Sequence, residues 1–161
     1  MLLVGLNLSA QNVVVKSNLK VDSTAIKITK SDSDYYVYSS FDNKKTDSLI
    51  VTIGTIGTNV TALKIDLTEK PKAYLSLWSD YPEYNGKNTL DLEFEFYTLE
   101  LNKTKFEKGD LIMGRIKGKS KVITYNSHSY QIEFEGEFNH QIGSLIIKKT
   151  AEQKYRIISN H

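Results

Sequence analysis

The sequence predicts an all-β protein: an antiparallel two-sheet β-sandwich or jelly roll, with a closed small barrel as the alternative. Three observations lead there. Apolar side chains recur at every second position along most of the 161 residues, the period of a strand with one buried face. No window sustains an apolar stripe at i, i+3, i+4 and i+7, so no long helix is expected. Only two prolines interrupt the chain, Pro71 and Pro82, both in turn-like surroundings.

The strands follow in order. Residues 2–10 place Leu2, Val4, Leu6 and Leu8 on one side and Gly5, Asn7 and Ser9 on the other. Residues 13–16, 25–28 and 35–41 carry the same alternation. Leu49, Val51 and Ile53 alternate with Ile50, Thr52 and Gly54, rich in β-branched side chains that suit a pleated surface. Gly54-Thr55-Ile56-Gly57 reads as a hairpin turn, since it lacks the Lys-Ser/Thr ending of a phosphate loop. Leu63, Ile65 and Leu67 alternate with Lys64 and Asp66. After a turn at residues 69–72, Ala73, Leu75 and Leu77 alternate with Tyr74, Ser76 and Trp78.

The clearest case comes next. Leu90, Leu92, Phe94 and Phe96 share one face, and Asp91, Glu93 and Glu95 share the other. The parity then slips, because Leu99 and Leu101 fall at odd positions. One extra residue near Tyr97-Thr98, a β-bulge, would restore a common face. Residues 112–117, 122–125, 130–138, 145–148 and 155–158 complete the strands, and residues 150–154 could form one helical turn. Gly114, Gly118 and Gly136 lie inside strands, where a missing side chain makes room for a bulky neighbour or a bend.

Composition bounds the function. The chain is 40% hydrophobic and 25% charged, the balance of a globular domain rather than a disordered one. Its net charge of +2 sets up no field that would gather nucleic acid, and Arg115 and Arg156 are its only arginines. Nucleic acid is therefore not expected as a partner. The absence of Cys excludes disulfides, thiolate metal sites and Cys nucleophiles. No apolar run reaches the roughly 20 residues of a transmembrane helix.

Charge is strongly patterned along the strands. Glu133, Glu135 and Glu137 form one acidic stripe, and Asp91, Glu93 and Glu95 another. Arg115, Lys117, Lys119 and Lys121 form a basic stripe between them in the chain. Opposite charges on neighbouring strands predict that residues 111–117 pair with residues 130–138. An outer-membrane barrel could also carry such stripes in its lumen, but strands of the required length are too few. Carboxylates two residues apart could also serve acid–base chemistry, the basis for a carboxylate enzyme as an alternative function.

No catalytic set stands out. The histidines are His128, His140 and His161, without HExxH or H-x-H spacing, and Gly-x-Ser-x-Gly is absent. No metal, cofactor or catalytic residue is assigned. Asp32 and Asp34 resemble the start of a calcium loop but lack its Gly and distal Glu, so an Asx-rich turn is expected. The most distinctive loop is Trp78-Ser79-Asp80-Tyr81-Pro82-Glu83-Tyr84-Asn85-Gly86. It sets Trp78, Tyr81 and Tyr84 beside two carboxylates and an Asn-Gly turn signal. Flat aromatic faces with adjacent hydrogen-bonding groups stack on sugars or anchor a protein partner, so these three are the candidate ligand-binding residues.

Residues 1–11 have a second reading, as the truncated remnant of a signal peptide, with residues 12–161 forming a single all-β domain. The apolar run ends on small side chains, as a signal-peptidase site requires. The ending Leu8-Ser9-Ala10-Gln11 resembles those of small exported all-β proteins of the Bacteroidota type, which implies a periplasmic or extracellular location. The expected function is a non-enzymatic binding or interaction module for a glycan or an envelope protein. A lipocalin-like barrel carrying a small apolar ligand is the main rival.

Overall fold

A computed structural model describes residues 11–45, 48–54, 60–68, 70–125 and 128–143. The opening stretch 2–10, most of the 54–57 turn, the strands expected at 145–148 and 155–158 and the helical turn at 150–154 lie outside the described residues.

Every regular element among the described residues is a strand. These are β1 (Gln11–Val15), β2 (Ala25–Lys30), β3 (Ser33–Val37), β4 (Ser40–Lys45), β5 (Ser48–Ile53), β6 (Val60–Asp66) and β7 (Lys72–Trp78). There follow β8 (Thr89–Leu92), β9 (Phe94–Leu101), β10 (Leu111–Ser120), β11 (Ile123–Tyr125), β12 (His128–Tyr130) and β13 (Ile132–Gln141). A six-stranded sheet has the order β1-β9-β10-β13-β2-β3, and a five-stranded sheet runs β4-β5-β6-β7-β8. β11 and β12 form a separate ribbon. Among the described residues no sheet closes into a barrel, and the architecture is that of a β-sandwich. The closed-barrel alternative is not what the described strands form.

One apolar cluster fills the space between the sheets. It takes Ile26, Ile28, Leu99 and Phe134 from the six-stranded sheet and Leu63, Ile65 and Leu75 from the five-stranded one. Tyr97 is buried with them, and its hydroxyl accepts a hydrogen bond from the Ala73 backbone N–H of the opposite sheet at 3.3 Å. The buried hydroxyl is thereby satisfied, as burial demands. Desolvation pushes the Tyr97 phenol pKa above its ordinary value.

Two expected strands are broken by corners. The 90–96 run leaves the five-stranded sheet at Leu92 and enters the six-stranded sheet at Phe94, with Glu93 between. The 35–41 run likewise divides into β3 and β4. The parity slip is real but earlier than Tyr97-Thr98. Lys119 faces Phe96 and Ser120 faces Phe94, so Glu95 is the extra residue. Phe96 is consequently turned outward, 44% exposed, and does not share the buried face of Phe94. β1 also departs from the antiparallel expectation, since it pairs with β9 in parallel.

β10 and β13 pair as the charge stripes predict. Arg115 faces Glu137, Lys117 faces Glu135 and Lys119 faces Glu133, at 3.2, 2.9 and 2.9 Å. On the inner face of the same strands Gly114 faces Phe138 and Gly118 faces Phe134. A Cβ at Gly114 would stand 2.1 Å from Phe138 Cζ, and one at Gly118 2.6 Å from Phe134 Cζ. The two glycines are the seats of the two rings. Gly136 makes room differently, since a Cβ there would stand 2.1 Å from the Ala25 carbonyl oxygen on β2.

The Asx-rich turn also forms. Ser31 and Asp32, between β2 and β3, both have positive φ, 46° and 61°, the conformation of a two-residue type I′ hairpin. Asp34 then faces the ladder, 2.6 Å from Lys27 Nζ and 2.6 Å from Thr29 Oγ1.

Two outcomes follow from this geometry. Gly118→Val should lower unfolding free energy by about 1–3 kcal/mol through overpacking, whereas Lys117→Ala on the exposed side should change it by less than about 1 kcal/mol, both read by urea denaturation. The second outcome concerns pH. Hydrogen bonds from Lys27, Lys121 and Lys103 hold Asp34, Glu93 and Asp110 below their ordinary pKa values. A carboxylate lowered on folding stabilises the fold above its unfolded pKa, and that contribution is lost as pH falls through the folded value. Carboxyl NMR titration should therefore place these three midpoints below unfolded-chain values, and Lys27→Met should move Asp34 back upward.

Candidate functional site

The Trp78–Gly86 loop is a clamped hairpin. Trp78 ends β7, where Ala73, Leu75 and Leu77 point inward, so its ring joins Lys72 and Tyr74 on the outer face, 36% exposed. Ser79 is fully buried at the neck of the loop. Its N–H donates to the Asn88 carbonyl at 2.9 Å, and its hydroxyl accepts from the Tyr81 N–H at 3.2 Å. The Asn88 side-chain amide closes the neck by donating to the carbonyls of Ser79 and Asp80. At the tip, Tyr84 and Lys87 exchange backbone hydrogen bonds of 3.0 and 3.1 Å around Asn85 and Gly86. Both turn residues have positive φ, 52° and 78°, as the Asn-Gly pair requires. The three candidate residues thus separate. Tyr81 is 71% exposed and Trp78 stands on the surface, but Tyr84 packs against the core cluster. Tyr84 supports the loop, and Trp78 and Tyr81 are the rings it presents.

A larger surface lies on the outer face of the six-stranded sheet. A shallow depression of about 610 Å³ runs over β9, β10 and β13, lined by Phe96, Thr98, Glu100, Arg115, Lys117 and Glu135 among others. A second, of about 320 Å³, shares Phe96, Lys117 and Glu135 and extends to Lys27 and Thr29 on β2. In register beyond Lys27 is Tyr36 on the edge strand β3. Its ring stacks on Tyr38, with centroids 6.2 Å apart and planes 13° apart. These rings are 55% and 67% exposed.

The floor of this surface is charged but internally neutralised. Lys16 pairs with Glu100, Arg115 with Glu137, Lys117 with Glu135, Lys119 with Glu133 and Lys27 with Asp34. Donors and acceptors therefore alternate, with no field of one sign to attract a phosphate chain.

The histidines behave differently from one another. His128 is exposed on β12, and His161 lies outside the described residues. His140 bridges Ser40 and Asp42, a convergence that no local motif announced. Ser40 and Asp42 are legible only as one face of one strand, and their partner is about a hundred positions away in the chain.

Among the described residues no group of three His, Asp or Glu side chains gathers to hold a metal ion, and no helix is long and apolar enough to cross a membrane. Searches against protein-family models, curated proteins and solved structures find no match to this chain.

Proposed function

We propose that the chain is an exported binding module, periplasmic or extracellular, whose ligand is a neutral glycan. The observation that carries this reading is the exposed, nearly parallel Tyr36–Tyr38 pair beside a depression whose charges are already matched. A sugar ring offers an apolar C–H face and a rim of hydroxyls. The first stacks on an aromatic plane, and the second needs alternating donors and acceptors. Exposed ion pairs are held by little net free energy, so ligand hydroxyls can exchange with them at small cost. Trp78 and Tyr81 present a second aromatic surface on the other sheet.

The export part of the proposal rests on the Leu8-Ser9-Ala10-Gln11 ending. Expression with the genuine upstream region, followed by intact mass measurement, should show a mature protein starting near Gln11. A cytoplasmic chain with its N-terminal residues intact would remove that part.

The binding part is tested on a glycan array followed by calorimetry. At about 0.5–1.5 kcal/mol per stacked ring, the Tyr36→Ala/Tyr38→Ala double variant should lose roughly tenfold in affinity for any glycan that the parent retains. Loss confined to Trp78→Ala and Tyr81→Ala would move the site to the hairpin loop, and a parent without a single hit would end the glycan reading.

A further inference from the structure

The two sheets are joined at one margin by a chain of three side chains that glycan binding does not use. Ser40 and Asp42 stand two residues apart on β4, with Ile53 and Val51 as their buried partners on β5. Their shared face is therefore turned inward, toward the six-stranded sheet. His140 reaches them from β13 of that sheet. Ser40 Oγ lies 2.9 Å from His140 Nδ1, and His140 Nε2 lies 2.7 Å from Asp42 Oδ1. The Gly143 backbone N–H donates to the same Asp42 oxygen at 3.0 Å.

Hydrogen-bond chemistry fixes the direction of this chain. An ionised carboxylate only accepts, so the nitrogen facing Asp42 carries the imidazole proton. In the neutral ring, the other nitrogen then bears a lone pair, and the Ser40 hydroxyl donates to it. Asp42 thus holds His140 in the tautomer that can remove a proton from Ser40, which is the role of the acid in a Ser-His-Asp triad. Here the two ring nitrogens are exchanged relative to the serine proteases, and the proton path is the same. Accessibility is graded in the required sense. The Asp42 and His140 side chains are 6% and 11% exposed, and Ser40 is half-buried at the outer end.

We propose that Ser40 is an activated nucleophile toward carboxylic esters, with His140 as its general base and Asp42 as a positioning residue. Ser40 Oγ forms a bond to the acyl carbon while its proton passes to His140 Nδ1, and the carbonyl electron pair moves onto oxygen. Collapse breaks the ester C–O bond. The departing alkoxide takes the proton from Nδ1, leaving acyl-Ser40 and a neutral imidazole. Water then repeats the sequence: its proton goes to Nδ1, its oxygen attacks the acyl carbon, and Ser40 leaves with that proton as the carboxylic acid is released.

The test uses the full chain and a fluorophosphonate probe, with which Ser40 Oγ forms an O–P bond and fluoride departs. Intact mass and peptide mapping should find one adduct, on Ser40, and none in Ser40→Ala. His140→Gln and Asp42→Asn should slow labelling by at least about 100-fold, the scale of a lost general base or wrong tautomer. Circular dichroism shows which variants remain folded. A folded parent unlabelled at Ser40, or labelling that continues unchanged in folded His140→Gln, overturns the proposal and leaves the three side chains as a joint between the sheets.

Discussion

The seating of two phenylalanines on two glycines is the constraint from which the rest of the molecule follows. Phe138 fits over Gly114 and Phe134 over Gly118 only when β10 and β13 pair in a single register. Because strand side chains alternate, that register also decides what lies on the outer face. It sets Arg115, Lys117 and Lys119 against Glu137, Glu135 and Glu133. A slip of one residue would turn both rings to water and set Arg115, Lys117 and Lys119 opposite phenylalanine, glycine or isoleucine positions in place of their glutamates. The magnitudes rank the two sides. Burying a phenylalanine contributes about 1.5–3 kcal/mol, and an exposed ion pair about 0–1. The rings hold the register, and the charges report it.

This ranking explains what was legible in the sequence. The Glu and Lys stripes identified the β10–β13 pairing because they were written by the same alternation that buries the rings. The turns at Asp32 and Asn85-Gly86 were legible because positive φ is demanded locally by their geometry. The corners were not. A chain that leaves one sheet at Leu92 and enters the other at Phe94 keeps its inward side chains inward, so the hydropathy pattern runs on without a break. Phe96 hid the bulge for a related reason, since an apolar ring was read as an inward one when it is an outward one. Parallel pairing of β1 with β9 left no mark, because it joins segments more than eighty residues apart. The candidate site was half legible. Trp78 and Tyr81 were visible as a local cluster, but the two depressions need four strands brought together, and Tyr36 is set beside them only by its register with Lys27.

The two proposed activities occupy opposite sides of the six-stranded sheet, and this separates their physical consequences. Tyr36 and Tyr38 stand on the edge, free of the core, so their replacement removes contact surface without opening a cavity. Ser40, Asp42 and His140 lie between the sheets, where any change also touches how the sheets meet. Binding variants therefore report on binding almost alone, and variants of the inner chain report on chemistry and cohesion together.

Cohesion by itself is a poor explanation for the inner chain. Taking a carboxylate and an imidazole out of water costs several kcal/mol before their attraction returns any of it, and well-packed apolar side chains of similar size often hold such a place equally well or better. The neighbours already supply that kind of contact, since Val51 and Ile53 beside β4 and Phe138 on β13 are fully buried. A polar trio set into this margin adds something the apolar alternative lacks: a hydroxyl, an imidazole and a carboxylate in one hydrogen-bonded line. Such a line is what the proposed proton transfer from Ser40 needs, and it comes at a cost in burial that simple adhesion of two sheets does not require.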